Sequence, residues 1–157
     1  MRKTFSLFIA VVFLSVAVLA VGADLYSNIS PKRMISPIVV SNNDNTVGQI
    51  VDRLGFGSVT FLIETGTLAD SDVTLTPTIQ VCALDNCDDF ASAAAGDLIG
   101  TIAGATFTAA NDNSVKMVAY KGTKRYVRLN VLPANNTGSA PFSVITILGH
   151  PQYRPVP

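Results

Sequence analysis

From Asp24 onward the sequence alternates between short β-prone segments and turns, and this pattern most constrains what the chain can fold into. The segments are rich in Val, Ile, Thr and Phe, and they recur at roughly ten-residue spacing between turns that contain Asn, Asp, Gly and Pro. We predict strands at 35–40, 46–54, 58–64, 73–82 (interrupted by Pro77), 99–103, 106–108, 115–120, 126–132 and 142–148. About eight short strands at this spacing indicate an all-β fold, either an antiparallel β-sandwich or a jelly-roll-like barrel.

Two local patterns add detail to this prediction. Residues 85–96 are the least strand-like part, and the alanine-rich stretch 90–95 predicts one or two helical turns with acidic residues near their start. Residues 121–124, Lys-Gly-Thr-Lys, separate two predicted strands and are typical of the turn of a β-hairpin.

The first 23 residues have the organisation of a targeting segment. Arg2 and Lys3 precede an apolar run over residues 5–21, and small residues then lead to a polar position. This order predicts a signal peptide cleaved between Ala23 and Asp24. The run is close to the length that spans a bilayer, so an uncleaved hydrophobic N-terminal helix that anchors the chain is the alternative. The chain thus divides into 1–23, a signal peptide or membrane anchor, and 24–157, a single β-sandwich domain.

Charge is balanced in total but unevenly distributed. Hydrophobic residues make up 48% of the chain and charged residues 14%, which argues against a disordered or nucleic-acid-wrapping protein. Without Arg2 and Lys3, nine basic residues face eleven acidic ones, a net charge of about −2. Ten of the acids lie within 34–112, and six basic residues follow Asp112. This asymmetry favours surfaces of opposite potential that pack copies together or dock on a charged partner, and ordinary solvated strand faces are the alternative.

Two cysteines, Cys82 and Cys87, lie five positions apart. In an exported chain they predict a disulfide that closes a small loop, whereas in a reducing compartment they would be two free thiols. One such pair with a single histidine elsewhere argues against a zinc site.

A basic segment in the last third of the chain is the candidate docking surface. Its residues are Lys116, Lys121, Lys124, Arg125, Tyr126 and Arg128. Cations interleaved with tyrosines suit an acidic protein surface or nucleic acid, although the slightly negative net charge argues against nucleic acid. The alternative is a charged outer strand face, which limits sheet-edge association.

The sequence contains no recognisable catalytic arrangement. The only histidine, His150, lies between Gly149 and Pro151 at the end of the last predicted strand, where a polar terminating residue is the simpler interpretation. The acidic stretches 70–72 and 85–89 lack the full spacing of a calcium loop. We therefore expect a non-enzymatic protein with no cofactor and no metal site.

Several motifs, in a fixed order, resemble a family of small virion proteins of tailed bacteriophages. They are the segments 24–29 (DLYSNI), 35–39 (ISPIV), 61–72 (FLIETGTLADSD), 97–101 (DLIGT), 122–129 (GTKRYVRL), 133–138 (PANNTG) and 144–150 (VITILGH) with Pro151. The resemblance implies a capsid-associated structural protein of the virion, one that decorates or cements the shell. We therefore expect a homo-oligomer that docks on the major capsid protein, and the slightly negative net charge predicts that it binds no nucleic acid.

Two features depart from that family. Its members begin at about the position of Asp24, and the stretch that holds Cys82 and Cys87 here is usually free of cysteine. Because virions assemble in the cytoplasm, the leader favours an alternative: an exported, disulfide-containing β-sandwich module that binds a cell-surface or glycan ligand in the periplasm or outside the cell. Contact with a membrane is expected only through the N-terminal segment, and only if it is not cleaved.

Overall fold

The structure is a computed structural model that describes residues 24–84, 87–154 and 156. In chain order its strands are β1 (Ile29–Val40), β2 (Thr46–Val47), β3 (Val51–Asp52), β4 (Phe56–Thr65), β5 (Thr74–Cys82), β6 (Ala91–Ser92), β7 (Leu98–Ile99), β8 (Phe107–Thr108), β9 (Val115–Tyr120), β10 (Tyr126–Ala134) and β11 (Ala140–Pro151). One short helix, α1 (Ile102–Ala105), and three single 3₁₀ turns accompany them (Tyr26–Asn28, Ala95–Asp97 and Ala109–Asn111). The predicted N-terminal hydrophobic helix lies outside the described residues.

The strands form two antiparallel sheets. Sheet 1 has the order β1-β11-β4-β9-β7, and sheet 2 has the order β2-β10-β5-β6, with β3 also paired to β10 and β8 also paired to β5. We count β2 with β3 as one interrupted strand, and β6 with β8 as another. The pairing is then nested: β1 pairs with β11, β2 and β3 pair with β10, β4 pairs with β9, and β5 pairs with β6 and β8. The predicted antiparallel β-sandwich is confirmed.

The core lies between the two sheets and follows from strand alternation. On β4 the side chains of Val59, Phe61 and Ile63 are buried, and the residues between them point outward. Sheet 2 supplies the facing layer, whose buried members include Leu75, Ile79, Val81, Val127, Leu129 and Val131. Each such side chain contributes about 1.5–3 kcal/mol through burial, so this two-layer contact is the main source of stability.

The single strand predicted at 46–54 is in fact split into β2 and β3. Between them the backbone N–H of Gly48 donates to Leu129 O (3.1 Å), and that of Gln49 donates to Met34 O (2.9 Å). A Cβ atom at Gly48 would lie 2.2 Å from Leu129 O and 2.7 Å from Met34 Sδ, so only glycine permits this approach. The interruption therefore links the edge of sheet 1 to the edge of sheet 2.

The predicted hairpin between 115–120 and 126–132 is wrong, although both strands exist. β9 pairs with β4 and β7 in sheet 1, while β10 pairs with β5 in sheet 2. The connection is held by Tyr120, whose hydroxyl accepts from the Lys124 N–H (3.0 Å), and by the Arg53 guanidinium 5.5 Å from the Tyr120 ring centroid. Each strand finds a long partner elsewhere, and the turn between them crosses from one sheet to the other.

Two further local predictions are corrected. Residues 90–95 contain the short strand β6 rather than helical turns, because Ala91 and Ser92 pair with β5. The strand predicted at 99–103 stops after Ile99, and α1 follows because the Thr101 hydroxyl oxygen accepts from the Gly104 N–H (2.9 Å), an N-cap contact.

Prolines occupy positions where sheet pairing is incomplete. β1, the edge of sheet 1, begins earlier than predicted and contains Pro31 and Pro37. On β5, Pro77 pairs with Val131 of β10, and on its other side it lies in the gap between β6 and β8. A residue without an N–H is tolerated at such positions, so β5 runs through Pro77 without a break.

Candidate functional site

The predicted docking residues are only partly brought together. Lys121, Lys124 and Arg125 lie on or beside the connection from β9 to β10, and Tyr126 and Arg128 follow on the outer face of sheet 2. The sixth residue, Lys116, is near the other end of β9, roughly 16 Å from Lys121 along the strand. Its Nζ donates to Thr106 O and lies 4.7 Å from the centroid of the buried Phe107 ring, so Lys116 covers the core there.

Arg125 is paired within the chain. Its guanidinium makes a two-point contact with the Asp52 carboxylate, with Nε–Oδ1 at 2.9 Å and Nη2–Oδ2 at 2.6 Å, and it also lies 4.9 Å from the Tyr126 ring centroid. Hydrogen bonding from Arg125 lowers the pKa of the Asp52 carboxyl below its ordinary value. The pair neutralises one of the expected positive charges.

Arg128 is part of a polar network on the outer face of sheet 2. Its Nε donates to Gln80 Oε1 (2.8 Å), which also accepts from Asn130 Nδ2 (2.9 Å), and its guanidinium lies 3.8 Å from the Phe90 ring centroid. Stacking and hydrogen bonding fix the arginine in place. Lys121 and Lys124 are exposed.

The cysteines form a disulfide, Cys82–Cys87, with the two Cα atoms 5.6 Å apart. It closes the loop that follows β5, opposite Tyr126, which pairs with Cys82. Both cysteines are buried.

At the predicted cleavage position the structure describes Asp24 but not Ala23. Asp24 is exposed, and its carboxylate accepts from the Ser27 N–H (2.6 Å), which lowers the pKa of the Asp24 carboxyl.

His150 belongs to a close polar contact at one end of sheet 1. Its Nδ1 lies 2.9 Å from Ser58 Oγ, and the tautomer decides which atom donates. His150 has a positive φ of 52°, a conformation that is uncommon for residues other than glycine but that histidine adopts more readily than most. A Cβ at Gly149 would lie 2.8 Å from Ser58 Oγ, so the glycine makes room for the serine. Among the described residues no carboxylate is hydrogen-bonded to this ring, and the expectation of a non-enzymatic protein remains a prediction.

Asp70, one of the acids considered for calcium, holds two loops together. Its Oδ2 accepts from the backbone N–H groups of Thr137 (2.5 Å) and Gly138 (2.7 Å). These two hydrogen bonds lower the pKa of the Asp70 carboxyl, and the bond from Thr137 has the larger effect. Within the described ranges no group of three or more His, Cys, Asp or Glu side chains is arranged to hold a metal ion.

The outer face of sheet 1 is apolar across adjacent strands. On β11 the outward residues Ile145 and Ile147 flank the buried Thr146, and Ile145 pairs with Leu62 of β4, which pairs in turn with Met117 of β9. Ile145 is 46% exposed and Met117 is 68% exposed. Ile99 of β7 (58%) and Val115 of β9 (59%) extend the same face.

The outer face of sheet 2 is polar by comparison. Thr74, Thr76, Thr78 and Gln80 follow one another along β5, and they lie beside the outward residues of β10. An antiparallel sheet in water normally presents such a face, with apolar residues inward and polar residues outward. The two outer faces therefore differ in chemistry.

The apolar face was not identified from the sequence, although a signal for it is present. The segments 61–63 (FLI) and 144–148 (VITIL) are nearly continuous apolar runs rather than alternating ones. In an antiparallel sandwich such a run places apolar side chains on the outside as well as the inside.

No helix among the described residues combines the length and the apolar character needed to cross a membrane.

Comparison with known proteins gives structural likeness rather than a match of sequence. No family model matches the sequence, and no curated protein does. Among solved structures, the chain is similar to one in the structure of the infectious bursal disease virus Gt strain, with 11% sequence identity and a TM-score of 0.42. The match covers 81% of this chain and 35% of that one, so this chain spans about a third of its length.

Proposed function

We propose that this chain is a non-enzymatic structural protein of a virion, associated with the capsid, that works through self-association and docking on the shell. The observation that carries the proposal is the apolar outer face of sheet 1, where Ile145, Leu62 and Met117 stand in register on three adjacent strands. Contiguous apolar surface of this kind on a folded domain marks a contact with another macromolecule. The proposed role needs no cofactor and no nucleic acid.

The nested strand pairing supports the capsid class by analogy. We assign this connectivity to a jelly roll, because the first strand pairs with the last, each following strand pairs with the next one in from the end, and the strands are divided between two sheets. Jelly rolls occur in viral capsid and lectin domains. Because a fold hosts many functions, this analogy supports the class of protein and the outer face supports the mode of action.

The finer proposal is a decoration or cement protein of a tailed bacteriophage. Its support is the order of motifs from Asp24 to Pro151 that resembles the phage family. The proposed partners are further copies of this chain and the major capsid protein. The exposed Lys121 and Lys124, together with the stacked Arg128, are proposed to contribute to contact with the shell.

The test is association with particles. Particles from the cells that make this chain would be banded on a density gradient and probed with an antibody raised against the purified protein. We expect the chain to co-sediment with intact particles at a fixed ratio to the main shell protein. Recovery only in the soluble fractions, with particles free of it, would contradict the proposal.

The disulfide favours a second candidate, an exported β-sandwich module that binds a cell-surface or glycan ligand. Disulfides persist in oxidising compartments and are rare in the cytosol. Mass spectrometry of the native protein would measure its N-terminus and the Cys82–Cys87 linkage. A chain that begins at Asp24, is disulfide-bonded and is found in the periplasm or medium supports this candidate. A chain whose translation starts near Asp24 and whose thiols are free supports the virion protein.

A further inference from the structure

We propose that the outer face of sheet 1 is the contact between two copies of this chain, related by a two-fold axis, with Arg33 of each copy paired to Glu64 of the other. This inference rests on the proposed function, because it names the surface and the partner through which self-association occurs. It is carried by the apolar character of the face, by its area and by the placement of two of its charges.

The apolar part of the face forms two rows across the sheet. One row is Ile145–Leu62–Met117, and the parallel row two residues along is Ile147–Thr60–Ala119–Ile99. Three shallow depressions of the surface open beside these rows, with linings that include Ser143, Ile145 and Ile147. Rows of apolar side chains next to depressions suit the interdigitation seen when two sheets pack face to face.

The area of the face fits a specific protein interface. The strands β1, β11, β4 and β9 lie about 4.8 Å apart, and the ten residues of β4 rise about 3.3 Å each. The flat projection of this face is therefore about 600 Å². A surface corrugated by side chains exceeds its projection, so the face is comparable to the roughly 800 Å² that each partner buries in a standard interface.

Two of the charges on the face, Arg33 and Glu64, favour a second copy as the occupant. Arg33 lies at the β1 edge in the row of Ile145, and Glu64 lies two strands away on β4 and two residues along, opposite Ser143. From strand spacing and rise, their Cα atoms are about 12 Å apart. No ion pair joins the two in the described chain, in which the Arg33 guanidinium donates to the neutral side-chain amide of Gln49 (3.2 Å).

A two-fold axis in the plane of the contact reconciles these positions. An axis that passes between Ile145 and Ser143 exchanges the positions of Arg33 and Glu64, so each arginine meets the glutamate of the other copy. The same arrangement places Met117 against Ile147 of the second copy. The contact is then isologous, with the same patch on both sides, as in most protein dimers.

A charge-swap experiment on the full chain tests this inference. Light scattering during gel filtration and sedimentation velocity over a range of concentrations would give the dimer dissociation constant, with the N-terminus of the purified form recorded by mass spectrometry. We expect a dimer for the unaltered protein. Arg33→Glu sets two glutamates against each other and Glu64→Arg sets two arginines against each other, so each variant alone should dimerise at least about tenfold more weakly.

Mixing the two variants supplies the decisive observation. In an equimolar mixture, the glutamate introduced in one copy faces the arginine introduced in the other, and the remaining native Glu64 faces the remaining native Arg33. We therefore expect heterodimers of near-normal affinity. A misfolded variant cannot be rescued in this way. Failure of the mixture to dimerise, when the unaltered protein does, would overturn the inference.

A matched pair of substitutions tests the face itself. Met117→Glu puts a charge into the proposed contact, whereas Leu132→Glu puts the same charge on the outer face of sheet 2, at another exposed apolar strand residue. We expect only Met117→Glu to give monomers. The inference would be overturned if the two substitutions weakened dimerisation equally. It would also be overturned if the unaltered protein were a monomer whose own N-terminal segment covers the face.

The outcomes separate this inference from the proposed function. A dimer through this face that is absent from particles would contradict the virion role and leave the contact in place. The opposite outcome has two parts: the Met117→Glu variant occupies particles as fully as the unaltered protein does, and both proteins are monomers when released from particles. That outcome would overturn the dimer and leave the virion role.

Discussion

Thr146 is at the centre of sheet 1, and its side chain points into the core between the sheets. It is completely buried, and its hydroxyl has no hydrogen-bond partner. Leaving a polar group unsatisfied in the interior costs free energy, because the group has lost its hydrogen bonds to water. Thr65, on the neighbouring strand β4, has a buried hydroxyl in the same condition. The two unsatisfied hydroxyl groups in sheet 1 therefore lower the free energy of unfolding.

Replacing Thr146 with valine should stabilise the protein. Valine has nearly the same shape and removes the unsatisfied hydroxyl, so we expect the free energy of unfolding to rise by about 1 kcal/mol. Urea unfolding followed by circular dichroism would measure it. Thr76→Val, on the polar outer face of sheet 2, is the control and should change stability little. A loss of stability in Thr146→Val would show that the hydroxyl is bonded after all.

Replacing Gly48 with alanine should destabilise the protein by about 1–3 kcal/mol, as overpacking does. The added Cβ would meet Leu129 O at 2.2 Å, which forces apart the link between the two sheet edges. Gly96 is the control, since nothing lies within 4 Å of a Cβ placed there, and Gly96→Ala should be nearly neutral. Equal melting temperatures for the two variants would contradict this account of Gly48.

At the scale of elements, side-chain contacts tie the loops together, in addition to backbone hydrogen bonds such as that from the Ala69 N–H to Ser139 O (2.9 Å). Asp70 holds the connection from β10 to β11. Asn136 Nδ2 donates to Val40 O (3.2 Å) at the end of β1 and to Asn42 O (3.1 Å) in the loop that follows. These contacts join segments that are far apart in sequence but lie at one end of the sandwich. Sequence patterns identified these stretches as turns, because Asn, Asp and Gly are recognisable there, but they did not indicate which turns would meet.

The Asp70 contact should make stability depend on acidity. Its carboxyl has a lowered pKa in the folded chain, so at pH values near 3.8 the unfolded chain binds a proton that the folded chain does not. The stabilisation is present above the ordinary pKa of 3.8 and is lost as pH falls through the lowered folded value. Asp70→Asn should therefore weaken the acid dependence of the melting temperature between pH 5 and about pH 2. Asp72→Asn, at an exposed neighbour, is the control, and an unchanged profile in Asp70→Asn would contradict the assignment.

At the scale of the whole molecule, the nested pairing makes nearly every stabilising contact non-local. β1 pairs with β11, so the beginning and the end of the described chain must meet before sheet 1 is complete. Closing such long loops costs entropy before the pairing is gained. Among the described residues, the same pairing leaves the apolar outer face of sheet 1 exposed.

This topology should make refolding slow. We expect refolding from urea, followed by stopped-flow fluorescence of the tyrosines, to take milliseconds to seconds, as is typical of folds dominated by non-local strand pairs. A major refolding phase in microseconds would contradict the nested pairing. Double-jump experiments would separate a slower phase due to proline isomerisation.

Local patterns in the amino-acid sequence were enough to predict the existence of most strands, the all-β class and the position of the turns. These are short-range properties, because alternation of side chains, β-branched residues and turn residues act within a few positions. The strand at 115–120 was predicted with the bounds that the structure has. The two cysteines were also close enough in sequence for their pairing to be considered directly.

Which strands pair and which surfaces face outward depended on the tertiary structure. The turn at 121–124 has the composition of a hairpin, yet it crosses between the sheets, because β9 and β10 are each paired along their whole length with strands distant in sequence. For the same reason the predicted basic surface is divided: Lys116 covers Phe107, and Arg125 is paired with Asp52. The apolar face of sheet 1 emerges only when Leu62, Met117 and Ile145 are brought into register, since pairing between distant segments is governed by burial and loop-closure entropy rather than by local pattern.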